Sequence, residues 1–163
     1  MVKMFAALIG LALAPAIGVA QDSPLVGTWK LVAADVQQPD GRVLPDYGSA
    51  PKGLAIFTAD GQYMLEIYRG KADRIQFASN DRTKGTCEEY RDAQLSTSAS
   101  FGRYTVDQAN HTIAFTAIGS SFPNREDGKA HVDPFTLQND SLAWRVPPRP
   151  DGSVPISRFV RVR

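Results

Sequence analysis

Cysteine is almost missing from this chain. Of 163 residues only Cys87 carries a thiol. One cysteine makes no internal disulfide, so the fold must rest on its apolar core, and about 140 residues are enough to build one. Cys87 itself reads as a small buried side chain. A nucleophilic thiol would need a histidine partner and an electropositive setting, and only His111 and His131 are present, neither near in sequence. Histidine scarcity also argues against a metal site. His131-x-Asp133 offers two ligands where three or four are needed, so no metal and no cofactor are expected. His111 follows Asn110 in a turn and reads as a surface residue. Excess charge of either sign is absent too. The chain has 18 Lys and Arg against 17 Asp and Glu, and Lys3 is the one charged residue among the first twenty. Without that segment the count is 17 to 17. Such a chain has no electrostatic footprint for nucleic acid or for an anionic membrane. Arg69, Lys71, Arg74, Arg82 and Lys84 are scattered among acids and read as ordinary solvated surface. There is no G-x-S-x-G elbow and no glycine loop that would cradle phosphate. Ser120 and Ser121 sit in a loop without a His/Asp context.

What is present begins with MVKMFAALIGLALAPAIGVA. One cation precedes an apolar run that ends in the small residues Gly18-Val19-Ala20. This is the pattern of a secretory signal peptide, with cleavage expected after Ala20. Pro15, Gly18, the short apolar length and the missing basic flank argue against a spanning anchor. The expectation is residues 1–20 as leader and 21–163 as one domain, secreted or periplasmic, with no stable membrane insertion after cleavage.

The body reads as short alternating strands punctuated by Gly, Pro, Asn and Asp. Strands are predicted over 28–35, 54–58, 62–69, 98–106, 111–118, 131–137, 142–145 and 158–162. Ala59-Asp60-Gly61 has hairpin-turn chemistry, with Gly61 suited to a left-handed position. Thr86-Cys87-Glu88-Glu89 spells a capping box and predicts a short helix to about Leu95. The stretches 37–53 and 147–155, rich in Pro and Gly, read as loops. Eight strands in series, a ninth remaining open, favour an up-and-down antiparallel barrel, because closure removes the exposed edges. An eight-stranded barrel has room for side chains or for one small ligand.

Gly27-Thr28-Trp29 at the mouth of the first strand resembles the G-x-W signature of the lipocalins. LVGTWKLVAADV, then DGRVLPDYGSAPKGLAIFTADGQYMLEI, then FGRYTVD and GSSFPN, in that order and spacing, look like the bacterial and fungal lipocalin-like domain family. The resemblance runs from about Leu25 to Arg163 and implies a calycin-type all-β barrel. It implies that Trp29 closes the barrel floor beside Gly27, with Arg161, or failing that Arg158, packed over the indole. Such a pair is worth about 0.5–2 kcal/mol. A second signature of the T-D-Y type is missing, and the strand TIAFTAIG lacks the polar residues that relatives often carry before G-S-x-F-P-N. Most members have no assigned activity, so the resemblance implies a fold more than a reaction.

The leading functional expectation is a barrel that binds a small apolar molecule at its open end. Ile56, Met64, Tyr68, Tyr104 and Phe115 are the candidate lining, with Tyr47 and Phe122 as loop residues near the mouth. Met64, Glu66 and Tyr68 share one strand face, and Tyr63, Leu65 and Ile67 the other. The second set is the more apolar and is expected to point inward. If the first set faced the lumen instead, Glu66 would be a buried acid/base group. Glu66 and Tyr104 are therefore the proton-handling candidates of an alternative, an isomerase or cyclase using the same lumen. A filled barrel with no ligand is the third alternative.

Overall fold

The structure is a computed structural model and describes residues 23–163. The expected leader lies outside the described residues. Nine strands run in chain order: β1 (Gly27–Gln37), β2 (Val43–Pro45), β3 (Lys52–Phe57), β4 (Gln62–Tyr68), β5 (Thr97–Asp107), β6 (Thr112–Ser120), β7 (His131–Gln138), β8 (Ser141–Arg145) and β9 (Val154–Arg161). One helix, α1 (Cys87–Leu95), lies between β4 and β5. From β3 to β9 each strand pairs antiparallel with the next, and β1 pairs with both β3 and β9. That second pairing closes an eight-stranded barrel, and β2 is an extra strand on the far end of β1.

The closure follows from the pleat. Trp29, Leu31, Ala55, Phe57, Tyr63, Ile67, Tyr104, Val106, Ile113, Phe115, Phe135, Leu142, Trp144 and Phe159 alternate with more exposed neighbours and point into a single core. Two bulges adjust the wall, at Leu31/Ala33 in the β1–β9 pairing and at Phe101/Gly102 in the β5–β6 pairing. The first turns Val32 outward while Leu31 and Ala34 both stay buried.

Some boundaries differ from the sequence reading. Within 37–53, Val43–Pro45 forms β2 against Asp35–Gln37, and β3 already starts at Lys52. β9 begins at Val154, inside the proline-rich stretch. Pro155 fits there because its carbonyl accepts from Val146 N, so no donor is needed from it. His111 stands in the turn before β6, with a left-handed φ of 51°. Cys87 is exposed, not buried, because it is the first residue of α1 and faces away from the barrel. The capping box forms: Thr86 Oγ accepts from Glu89 N, and Glu89 accepts from the amides of Thr86 and Ala78. Those amides hold the Glu89 carboxyl below its ordinary range.

Alternation gives the barrel two different ends. The turns at 58–61, 107–111 and 139–140 are short and lie at the end where β1 starts. The connections at 46–51, 69–96, 121–130 and 146–153 are longer and lie at the other end.

Candidate functional site: the two ends of the lumen

The closed end is built on the G-x-W segment. Trp29 is fully buried and its Nε1 donates to Leu25 O at 2.7 Å. Arg161 lies directly across from it in the β1–β9 register. Its guanidinium carbon stands 4.1 Å from the indole centroid, while Nη1 donates to Val26 O and Nη2 to Pro24 O, both at 2.7 Å. Gly27 explains itself here. Its φ is +131°, and a Cβ would stand 2.9 Å from Arg161 Nη1. Arg158 points outward instead and pairs with Asp35. Residues 23–26, Trp29 and Arg161 thus seal this end.

Above the seal the lumen is filled with rings. Phe57 meets Tyr104 edge-on at 4.9 Å, Tyr63 meets Phe115 at 4.8 Å, and Trp144 stacks on Phe159 at 4.5 Å. Phe57, Phe115 and Trp144 approach one another within 6.3 Å across the axis. Tyr104 belongs to this lower layer. Its hydroxyl donates to Thr58 O at 2.9 Å in the closed-end turn, so it is inward but far from the mouth.

The remaining candidates separate. Phe115 is inward, in the ring layer. Ile56, Met64, Glu66 and Tyr68 are not in the lumen. The β3–β4 register puts Tyr63, Leu65 and Ile67 on the inner face, so their neighbours turn outward. Met64 is 48% exposed. With Glu66, Phe101, Gly119, Ser120 and Ser121 it lines a groove of about 290 Å³ on the outer wall. Tyr68 packs outside under Arg74, whose guanidinium carbon is 4.9 Å from the ring centroid. The apolar row wins the interior because burying Glu66 unpaired would cost several kcal/mol, about what burying two large apolar side chains gains. The proton-handling pair Glu66 and Tyr104 therefore does not come together. Phe122 is exposed on the β6–β7 connection. Tyr47 is the candidate that reaches the mouth. It packs against the core and hydrogen-bonds Ser98, and burial holds its phenol above the ordinary range. Asp46 beside it is gripped by Arg149 from the β8–β9 connection.

Toward the open end the inner wall changes character. Ser98 and Ser100 face Ile67 and Leu65 in register, and Ala34, Ala117 and Ser157 present small side chains. Deeper on β7, opposite Ile113 in the β6–β7 register, sits Asp133, which the sequence reading weighed only as half of a His131-x-Asp133 metal pair. Asp133 is 2% exposed, and its Oδ1 has no hydrogen-bond partner. Burial pushes its carboxyl up to about 7, against the opposing pull of the Arg125 guanidinium. Two residues earlier on the same face, His131 Nε2 is buried without a hydrogen bond. It lies 3.5 Å from Asp127 Oδ1, too far for one. Tyr63, which hydrogen-bonds Ser100 and is raised by burial, faces Asp133 from β4. The signal in the sequence was the Asp within HVDPF, an acid at an inward position of an alternating strand. Among the described residues no three or more His, Cys, Asp or Glu gather as a metal site.

A family model agrees with this architecture. The family model described as "Lipocalin-like domain" matches residues 26–156. No curated protein matches the chain. A crystal structure of a mutant of the fluorescent protein UnaG is similar at 14% identity, covering 84% of this chain and 95% of that one, with a TM-score of 0.36. The family match takes in Gly27-Thr28-Trp29, the ring layer apart from Phe159, and the long connections of the open end, and so the chain belongs to the lipocalin-like domain family.

Proposed function

We propose that this protein is an exported binding protein that holds one small, mostly apolar molecule in the upper half of its barrel. The observation that carries the reading is the change along the inner wall. Interlocked rings fill the closed half, small and polar side chains line the open half, and the unpartnered Asp133 stands at the ring layer, opposite Ile113 in the β6–β7 register. An apolar wall with a few convergent polar groups is the usual make-up of a small-molecule site. Phe115 forms the bottom of the site and Tyr47 its rim. Phe122, on the β6–β7 connection, stands where an arriving ligand would pass. The leader read over residues 1–20 supports export into the periplasm or the medium.

Native mass spectrometry of the protein purified from its own host tests the binding reading. The expected result is an adduct of a few hundred daltons that is lost on denaturation. A ligand-free mass, together with no perturbation of Ser100, Ala117 or Trp144 resonances by small aromatic probes, would show a filled barrel instead. Export is tested by the first residue of the mature protein, expected to be Gln21. An uncut chain retained inside the cell would refute it.

A further inference from the structure

We propose that Asp133, with His131 one pleat away, is the recognition group of the lumen and selects an uncharged, flat ligand bearing a hydroxyl or N–H donor. This rests on the reading of the open half as a binding site. Among the described residues, the two buried side-chain polar atoms without a hydrogen-bond partner are Asp133 Oδ1 and His131 Nε2. They stand two positions apart on the same face of β7, and His131 Nε2 also lies 3.5 Å from Asp127 Oδ1. Buried polar atoms are nearly always paired, and a lone buried carboxyl is among the most costly exceptions. A Leu at position 133 would relieve that cost, and an Asn would remove the charge while leaving a buried amide unpaired. With Asp there the chain gives up stability for something the carboxyl does.

The surroundings narrow the partner. Phe135 is the next inward residue on β7, and Phe115 lies opposite His131 in the β6–β7 register. Both are buried rings, the apolar wall against which a flat body reaching Asp133 would lie. Two charged or ionisable groups act on Asp133, Arg125 from the β6–β7 connection and Tyr63 from β4, while His131 on its own strand lies beside Asp127. A cationic ligand would meet the Arg125 guanidinium as well as the carboxyl. An anionic one would meet the carboxyl in a dry setting. A neutral donor meets neither penalty and completes the Oδ1 atom. His131 Nε2 gives a second contact for a ligand with two polar groups.

Four probes on one ring test the charge rule: naphthalene, 2-naphthol, 2-naphthoate and 2-naphthylmethylamine. Each is titrated into the mature chain at pH 7.5 and followed by tryptophan quenching and calorimetry. The expected order puts 2-naphthol at least about tenfold tighter than naphthalene, which is one hydrogen bond to a charged acceptor, with the anion and the ammonium weaker than 2-naphthol. Asp133→Leu, which has no acceptor, is expected to lose the preference for 2-naphthol over naphthalene. Equal binding of naphthol and naphthalene by the wild type, or an unchanged preference in Asp133→Leu, overturns the proposal while leaving the barrel a binder. Failure of all four probes to bind removes the binding reading and this proposal together. A ligand-free measurement separates recognition from structure. Asp133→Asn is expected to melt above wild type at pH 8, and by a smaller margin at pH 5. A lower melting temperature would mean that Asp133 holds the fold together, and would overturn the assignment.

Discussion

Replacing Arg161 by Met should loosen the closed end by about 3 kcal/mol. The figure is built from the contacts. The guanidinium over Trp29, at 4.1 Å from the centroid, is worth about 0.5–2 kcal/mol. The bond from Nη1 to Val26 O is partly buried, and a hydrogen bond to a charged group is worth about 1.5–3 kcal/mol. The bond to Pro24 O is exposed and adds little. The Asp140 contact, at 3.5 Å and well solvated, is left out because exposed ion pairs contribute little. Urea unfolding of the mature chain, followed by far-UV circular dichroism, measures the loss. Gly27 supplies the control. Gly27→Ala suffers from its positive φ, which costs about 1–3 kcal/mol, and from the Arg161 Nη1 contact at 2.9 Å. Only the second cost disappears when Arg161 is Met. The double variant should therefore be less damaged than the sum of the singles, with a coupling of about 1 kcal/mol. A loss under 1 kcal/mol for Arg161→Met, or strict additivity with Gly27→Ala, would refute the view that this arginine is what the G-x-W glycine makes room for.

Other consequences can be checked with the same protein. The folded-state carboxyl of Asp133 is raised to about 7 from an ordinary value of 3.8, so between those values the folded chain holds a proton that the unfolded chain has released. Wild-type stability should then fall relative to Asp133→Asn as pH rises from about 4 to 7, by up to about 1.4 kcal/mol per pH unit, and stay level above; urea midpoints that run parallel for the two proteins would contradict this. Phe115→Ala removes a ring at the crossing of three others and should cost about 3–5 kcal/mol in urea unfolding. The same variant should deepen the lumen, so that naphthalene binds more tightly to it than to wild type. Thr86→Ala deletes the helix cap and should cost about 1 kcal/mol, with amide exchange accelerated in α1 and unchanged in β1. Tyr47→Ala should speed both association and release of an aromatic probe in stopped-flow measurements, because the ring covers the mouth beside Ser98.

The sequence by itself determined the barrel. Alternating apolar positions, turn residues such as Asn139-Asp140 and the capping box at Thr86 are local signals, and local physics reads them correctly. It favoured the inward row Tyr63, Leu65, Ile67 on β4 over a row containing Glu66, yet it also offered Met64 and Tyr68 as lumen lining, which the β3–β4 register turns outward. Three features were decided only by the tertiary structure. β2 and the start of β9 are formed by pairing with β1, so no propensity within their own residues announces them. How far the rings fill the lumen depends on Phe57, Phe115 and Trp144 meeting from three different strands. The isolation of Asp133 depends on what fails to reach it from neighbouring strands. A strand pattern tells which way a side chain points, because the pleat has a period of two. It does not tell what stands opposite across a closed barrel, because that is fixed by the stagger of strands far apart in sequence.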